Sequence, residues 1–132
     1  MKTMKMFLLG AGIVALVAGA AAQATGGQAA PAVPDDIKAL LKGRCAGCHK
    51  SFFAPKGLKL GPDALPGSVL NVASKEKPDL KRVVPGSPET SYLMMKVRGA
   101  EGISGKRMPP PKKTPLTDDE IALLEKWIQG LE

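Results

Sequence analysis

The stretch Cys45-Ala46-Gly47-Cys48-His49 determines how this sequence is interpreted. It contains both cysteines and the single histidine of the 132-residue chain. Two residues separate the thiols, so they lie about one helical turn apart, and the imidazole follows the second thiol directly. The two thiols and the one imidazole of the chain therefore belong to a single small site.

The Cys-x-x-Cys-His spacing is typical of covalent attachment of a c-type haem. In that chemistry each thiol adds to one vinyl group of the haem, and the adjacent imidazole becomes the proximal ligand of the iron. We therefore predict one haem c per chain, bound covalently by Cys45 and Cys48, with His49 as an iron ligand.

Three other uses of the cysteine pair are less favoured. A structural disulfide or a thioredoxin-like redox pair also has this spacing, but a redox pair usually starts a helix in a βαβ unit, and no strand pattern precedes Cys45. A structural zinc site normally takes four protein ligands. Because the chain has no further Cys or His, such a site would need carboxylates.

The sixth iron ligand must be another residue type, since there is no second histidine. Methionine is the usual alternative in electron-carrying cytochromes c. We predict Met108, which lies 59 residues after His49 in a loop stiffened by prolines 109–111, whereas Met94 and Met95 fall in a predicted helix, where Met usually fills the core. An open or water-ligated iron is the alternative. Three lysines are weaker candidates: Lys106, Lys112 and Lys113.

Several further residues are candidates for the surroundings of the haem. A proximal histidine commonly donates its second ring N–H to a carbonyl, and Gly61-Pro62 is a candidate source, with a plain turn as the alternative. Tyr92 and Trp127 are candidates for packing near the haem, with core packing favoured for Trp127. Four arginines are candidates for pairing with the propionates, with solvated surface as the alternative: Arg44, Arg82, Arg98 and Arg107.

The first 24 residues have the features of a secretory signal peptide. Lys2 and Lys5 precede the apolar run 6–22, which leads to the small-residue site Ala22-Gln23-Ala24. We predict cleavage there and a periplasmic location. The alternative is an uncleaved anchor that tethers the domain to the membrane, although the run is only marginally long for a span of about 20 residues.

The remaining chain divides into a flexible leader at 25–34 and one domain at 35–132. Removing residues 1–24 leaves 108 residues and lowers the formal charge from +7 to +5. A basic surface favours redox partner proteins with an acidic docking surface. Nucleic acid is excluded because the basic residues are scattered and aromatic residues are few, and membrane contact is expected only if the signal segment is retained.

Helical signals occur in three parts of the domain. Asp35 or Asp36 is predicted to cap a first helix. Residues 87–90 are predicted to start a second helix, which ends at Gly99, and the capping box at 117–120 is predicted to start a last helix. The breaker-rich segment 50–84 is predicted to be loop, with at most a short helix around 69–74, and residues 102–115 are predicted to be loop.

The order of these segments resembles class I cytochromes c, and more closely small bacterial cytochrome domains of the planctomycete type. Residues 45–49, 57–60, 84–93, 107–110 and 116–128 resemble, in turn, the haem-binding segment, the following loop, the middle helix, the distal ligand loop and the final helix. The resemblance implies an all-α fold of three or more short helices, in which the first and last cross and long loops wrap around one covalent haem. Residues 62–81 depart most from the pattern.

Together these features predict one-electron transfer by a carrier or an electron-transfer subunit, not an enzyme. The alternative is a haem-based sensor or peroxidase-like protein with an open or labile sixth site. The lack of a distal histidine to act as acid or base makes that alternative less favoured.

Overall fold

The computed structural model describes residues 29–50 and 52–132, so the predicted signal peptide lies outside the described residues. Four α-helices follow one another: α1 (Asp35–Arg44), α2 (Ala46–His49), α3 (Tyr92–Arg98) and α4 (Asp118–Gln129). Two 3-10 turns lie at Pro55–Gly57 and Pro88–Thr90. Extended pairing within the described ranges is limited to isolated bridges, so the predicted all-α class is confirmed.

Helix α1 begins differently from the prediction. Pro34, not an aspartate, is the N-cap, because its carbonyl accepts the first helical hydrogen bond from Lys38 N at 3.0 Å. Asp35 and Asp36 instead lie in the first turn, where carboxylates interact favourably with the helix dipole. Val33, from the predicted leader, is buried in the core.

Helix α4 begins with the predicted capping box. The hydroxyl of Thr117 accepts a hydrogen bond from Glu120 N at 3.2 Å, and the Glu120 carboxylate accepts one from Thr117 N at 2.9 Å. Helix α4 packs against α1, and Arg44 Nε lies 3.2 Å from a carboxylate oxygen of Glu120. The last helix therefore holds the end of α1 that leads into the cysteine motif.

Helix α3 starts later than predicted, because residues 88–90 form a 3-10 turn and Ser91 is the N-cap. The buried hydroxyl of Ser91 donates to the Ser87 carbonyl at 2.9 Å and accepts from Val84 N at 2.9 Å, which fixes the chain before the helix. Gly99 ends α3 as predicted, with a φ of 66° in the left-handed region that favours glycine.

The segment 69–74 is loop, as predicted, and the short helix that the sequence allowed there does not form. This segment runs beside residues 80–83 instead: Asn71 N donates to the Val83 carbonyl at 2.9 Å, and Arg82 N donates to the Val72 carbonyl at 2.8 Å. The β-branched valines at 69, 72 and 83 suit an extended backbone better than a helix.

One hydrophobic core joins α1, α3 and α4. Ile37, Met94, Leu124 and Ile128 are at most 1% exposed, and Trp127 is buried with them, so the prediction that Trp127 packs in the core is confirmed. No helix in the described part of the chain is long and apolar enough to span a membrane.

Candidate functional site

The cysteine motif lies at a sharp turn between two helices. Helix α1 ends at Arg44 and α2 begins at Ala46, so Cys45 forms the junction. The N–H groups of Cys48 and His49 both donate to the Cys45 carbonyl, at 3.2 and 3.0 Å. Cys45 is half-buried against the core, Cys48 is exposed, and both are free thiols.

The environment of Cys45 argues against a redox dithiol. Burial raises the pKa of the Cys45 thiol to about 11, and the neighbouring Arg44 lowers it only in part. Redox-active cysteine pairs have a lowered thiol pKa. In addition, no β-strand forms in the described ranges, and no group of three or more His, Cys, Asp and Glu side chains gathers there as a zinc site would need.

The imidazole of His49 is half-buried and oriented by one backbone carbonyl. Its Nδ1 lies 3.2 Å from the Leu58 carbonyl oxygen, a contact in which Nδ1 donates and Nε2 keeps its lone pair for a metal. The Leu60 N–H donates to the His49 carbonyl and holds this segment beside the ring. Leu58, not the candidate Gly61-Pro62, supplies the carbonyl, and the alternative of a plain turn at Gly61-Pro62 is what the structure shows. Lys56 and Gly57 both have a left-handed backbone, with φ of 57° and 63°, and form a turn just before Leu58.

The protonation of His49 suits metal binding. Burial lowers the pKa of His49 below its usual range, and the hydrogen bond with Leu58 acts in the opposite direction without cancelling the effect. A metal-ligating histidine must be neutral. Two free thiols beside a neutral, oriented imidazole therefore fit a covalently attached haem.

Met108 lies half-buried in the loop after α3. Its N–H donates to the Lys96 carbonyl at 2.9 Å, and the following Pro109 is buried, so this part of the loop is fixed to α3. Met94 is fully buried in the core, as predicted for a helical methionine, and Met95 is half-buried. The three lysine alternatives are exposed: Lys106, Lys112 and Lys113.

A buried polar network, which the sequence did not predict, holds the same loop. Lys96 is 7% exposed, and its Nζ lies 3.0 Å from a Glu76 carboxylate oxygen and donates to the Ser104 carbonyl at 2.8 Å. The Tyr92 hydroxyl donates to Glu76 at 3.2 Å and accepts from Ser104 N at 2.9 Å. This network ties residues 74–77, α3 and the loop with Met108 together.

Two of the four candidate arginines already have carboxylate partners. Arg98 pairs with Glu125 at 2.9 Å, and Arg44 pairs with Glu120 and also donates to the Pro115 carbonyl at 2.5 Å. Arg107 packs its side chain against the end of α3. Contacts within the protein therefore account for the positions of three of the four arginines: Arg44, Arg98 and Arg107.

Arg82 differs from the other arginines. It is 9% exposed and donates to the carbonyls of Ser68 at 2.7 Å and Lys56 at 3.0 Å, but it takes part in none of the ion pairs among the described residues. Its positive charge acts on His49, whose pKa it lowers. A buried cation without a carboxylate is costly, so Arg82 is suited to compensate an anionic group.

A comparison with protein families matches residues 34–132 to the family described as Cytochrome c. The chain belongs to the cytochrome c family. The matched residues of this cytochrome c include the cysteine motif, all four helices and the loop with Met108. Membership implies covalently bound haem c and electron transfer to redox partners. No curated protein and no solved structure gives a significant match.

Proposed function

We propose that this protein is a mono-haem one-electron carrier or electron-transfer subunit, not an enzyme, with His49 and Met108 as axial ligands. The observation that carries the proposal is the turn at Cys45, where two free thiols accompany a neutral imidazole whose Nδ1 is held by the Leu58 carbonyl. Bound haem c supplies one iron that exchanges a single electron between its ferrous and ferric forms.

The residues of the chain divide this task. Cys45 and Cys48 would hold the haem covalently, and His49 would bind its iron through Nε2, while the Leu58 carbonyl orients the imidazole through Nδ1. Met108 supplies its thioether from a loop that the Lys96 carbonyl holds in place. A ligand set held by existing contacts changes little between oxidation states, which favours rapid electron exchange.

The cellular context is part of the same proposal. Residues 1–24 act as a signal peptide, 25–34 as a leader and 35–132 as the haem domain, which is periplasmic or, if the signal segment is retained, tethered to the membrane. The last two leader residues belong to the fold, since Val33 is buried in the core and Pro34 caps α1. The basic charge of the chain favours redox partners with an acidic docking surface. The segment order supports a relationship with the small planctomycete-type domains.

The first test is the mature protein, co-expressed with haem-maturation machinery and exported. We expect an intact mass equal to the polypeptide from residue 25 plus one haem, and a ferric spectrum with c-type Soret and visible bands and the weak long-wavelength band of sulfur bound to iron. A mass without haem would refute the proposal. Attached haem without the sulfur band would favour a sensor or peroxidase-like protein with an open sixth site.

Arg82 is proposed to compensate the haem propionates. Arg82→Gln is expected to lower the reduction potential by on the order of 40 mV, equivalent to about 1 kcal/mol for one electron, because removing a nearby positive charge favours ferric iron. Arg98→Gln is the matched control, since Arg98 is already paired with Glu125 at the surface. Equal shifts in spectroelectrochemical titrations of the two variants would contradict this role.

A further inference from the structure

Phe52 and Phe53 form an exposed aromatic pair close to the haem-attachment motif. They are 82% and 88% exposed, and they are the only large hydrophobic side chains that are exposed among residues 29–50 and 52–132. Their rings lie 5.4 Å apart, edge to face. Exposing two adjacent phenyl rings to water is unfavourable for an isolated domain. Their position therefore points to contact with another molecule or surface.

Three lysines lie within six residues of this pair along the chain. Lys50 and Lys56 are exposed, and Lys59 Nζ lies 5.5 Å from the centre of the Phe52 ring. None of the three lysines takes part in an ion pair among the described residues. No Asp or Glu occurs anywhere between positions 45 and 62, so no acidic side chain within that stretch offsets the charge. We call these five residues the aromatic-basic surface: Lys50, Phe52, Phe53, Lys56 and Lys59.

We propose that the aromatic-basic surface binds an anionic lipid surface. Rings that are more than four-fifths exposed project from the protein, and a protein partner would need a matching pocket for each ring. A lipid interface needs no such pocket, because it admits projecting aromatic rings between its headgroups. The flanking lysines then lie at headgroup depth, where they attract anionic lipids.

This inference adds an attachment mode that does not depend on the signal segment. It concerns contact with the surface of a bilayer, not insertion across it. Because Cys48 is exposed and lies four residues before Phe52, binding would bring the haem-attachment turn close to the membrane surface. The inference does not rest on Met108 or on the identity of the redox partner.

The test is co-sedimentation of the mature holoprotein with vesicles of pure phosphatidylcholine and with vesicles that also contain about 30% phosphatidylglycerol. We expect binding to the anionic vesicles only, weakened by salt. Phe52→Ser with Phe53→Ser is expected to weaken partitioning about a hundred-fold, since two apolar rings no longer leave water. An unchanged absorption spectrum shows that the variant keeps its haem, so a failure of this inference is distinguishable from a failure of the proposed function.

Two double variants that remove the same charge distinguish binding through the aromatic-basic surface from attraction by the net positive charge of the protein. Lys56→Gln with Lys59→Gln and Lys112→Gln with Lys113→Gln each remove two positive charges, and we expect a clearly larger loss of binding from the first pair. Equal losses, or no binding to anionic vesicles, would overturn the inference. Loss of the haem spectrum in the Phe variant would also overturn the inference, because it would show that the two rings contribute to the surroundings of the haem. A protein partner would be the occupant instead if the holoprotein did not bind vesicles and the Phe variant exchanged electrons more slowly than the parent with an acidic redox protein.

Discussion

Replacing both Cys45 and Cys48 with alanine is expected to abolish the cooperative thermal transition of the mature protein. The two side chains are small, and one of them is exposed, so their own packing accounts for little of this effect. Single substitutions typically cost roughly 0.5–3 kcal/mol, out of a total stability of about 5–15 kcal/mol. Loss of the transition would therefore reflect loss of the covalently held haem.

The structure explains why the chain should depend so strongly on attachment. In the described part of the long segment between α2 and α3, β-pairing is limited to two isolated bridges. Arg82 is buried in this segment without a carboxylate partner among the described residues. Tyr92 and Trp127 are the aromatic residues in the described core, because both phenylalanines of that part are exposed. These features leave a small domain with few aromatic residues in its core and a long segment with little regular structure.

Circular dichroism against temperature measures this effect directly. The single variants Cys45→Ala and Cys48→Ala are the matched controls, since each keeps one thioether bond and is expected to melt cooperatively at a lower temperature than the parent. A double variant that melts like the parent would count against the haem assignment as a whole.

Met108→Ala is expected to eliminate the long-wavelength sulfur band of the ferric protein completely. Because a thioether favours ferrous iron, the reduction potential should also fall, by on the order of 100 mV within the span of about 0.8 V that axial ligands control. The Soret and visible bands of the attached haem should remain, since Cys45, Cys48 and His49 are unchanged.

Met95→Ala is the control for this substitution, because Met95 is a half-buried methionine of α3 and is not expected to ligate iron. Met94 is unsuitable as a control, since it is fully buried and its truncation would create a core cavity. A sulfur band that survives in Met108→Ala and disappears in Met95→Ala would move the ligand from the loop to the helix.

Local signals were sufficient for much of the fold. The capping box at Thr117 and Glu120 formed as predicted, and Gly99 ended α3, because each signal acts through hydrogen bonds or backbone angles within a few residues. The cysteine motif is local in the same sense, since its three reactive groups lie within one turn. The short helix that the sequence allowed at 69–74 does not form, because pairing with residues 80–83 satisfies the backbone groups of that loop.

The sequence by itself determined the start of the last helix and the grouping of both cysteines and the histidine in one motif, because each depends on residues a few positions apart. The choice of Met108 among the methionines stays a prediction. Tertiary structure decided which groups surround the site: Leu58 as the partner of His49, the pair of Lys96 and Glu76, and the burial of Arg82 without a carboxylate partner among the described residues. The residue type alone does not indicate whether a lysine or arginine is buried or solvated. Its burial and its partners depend on segments far apart in the chain, which meet only when the core forms.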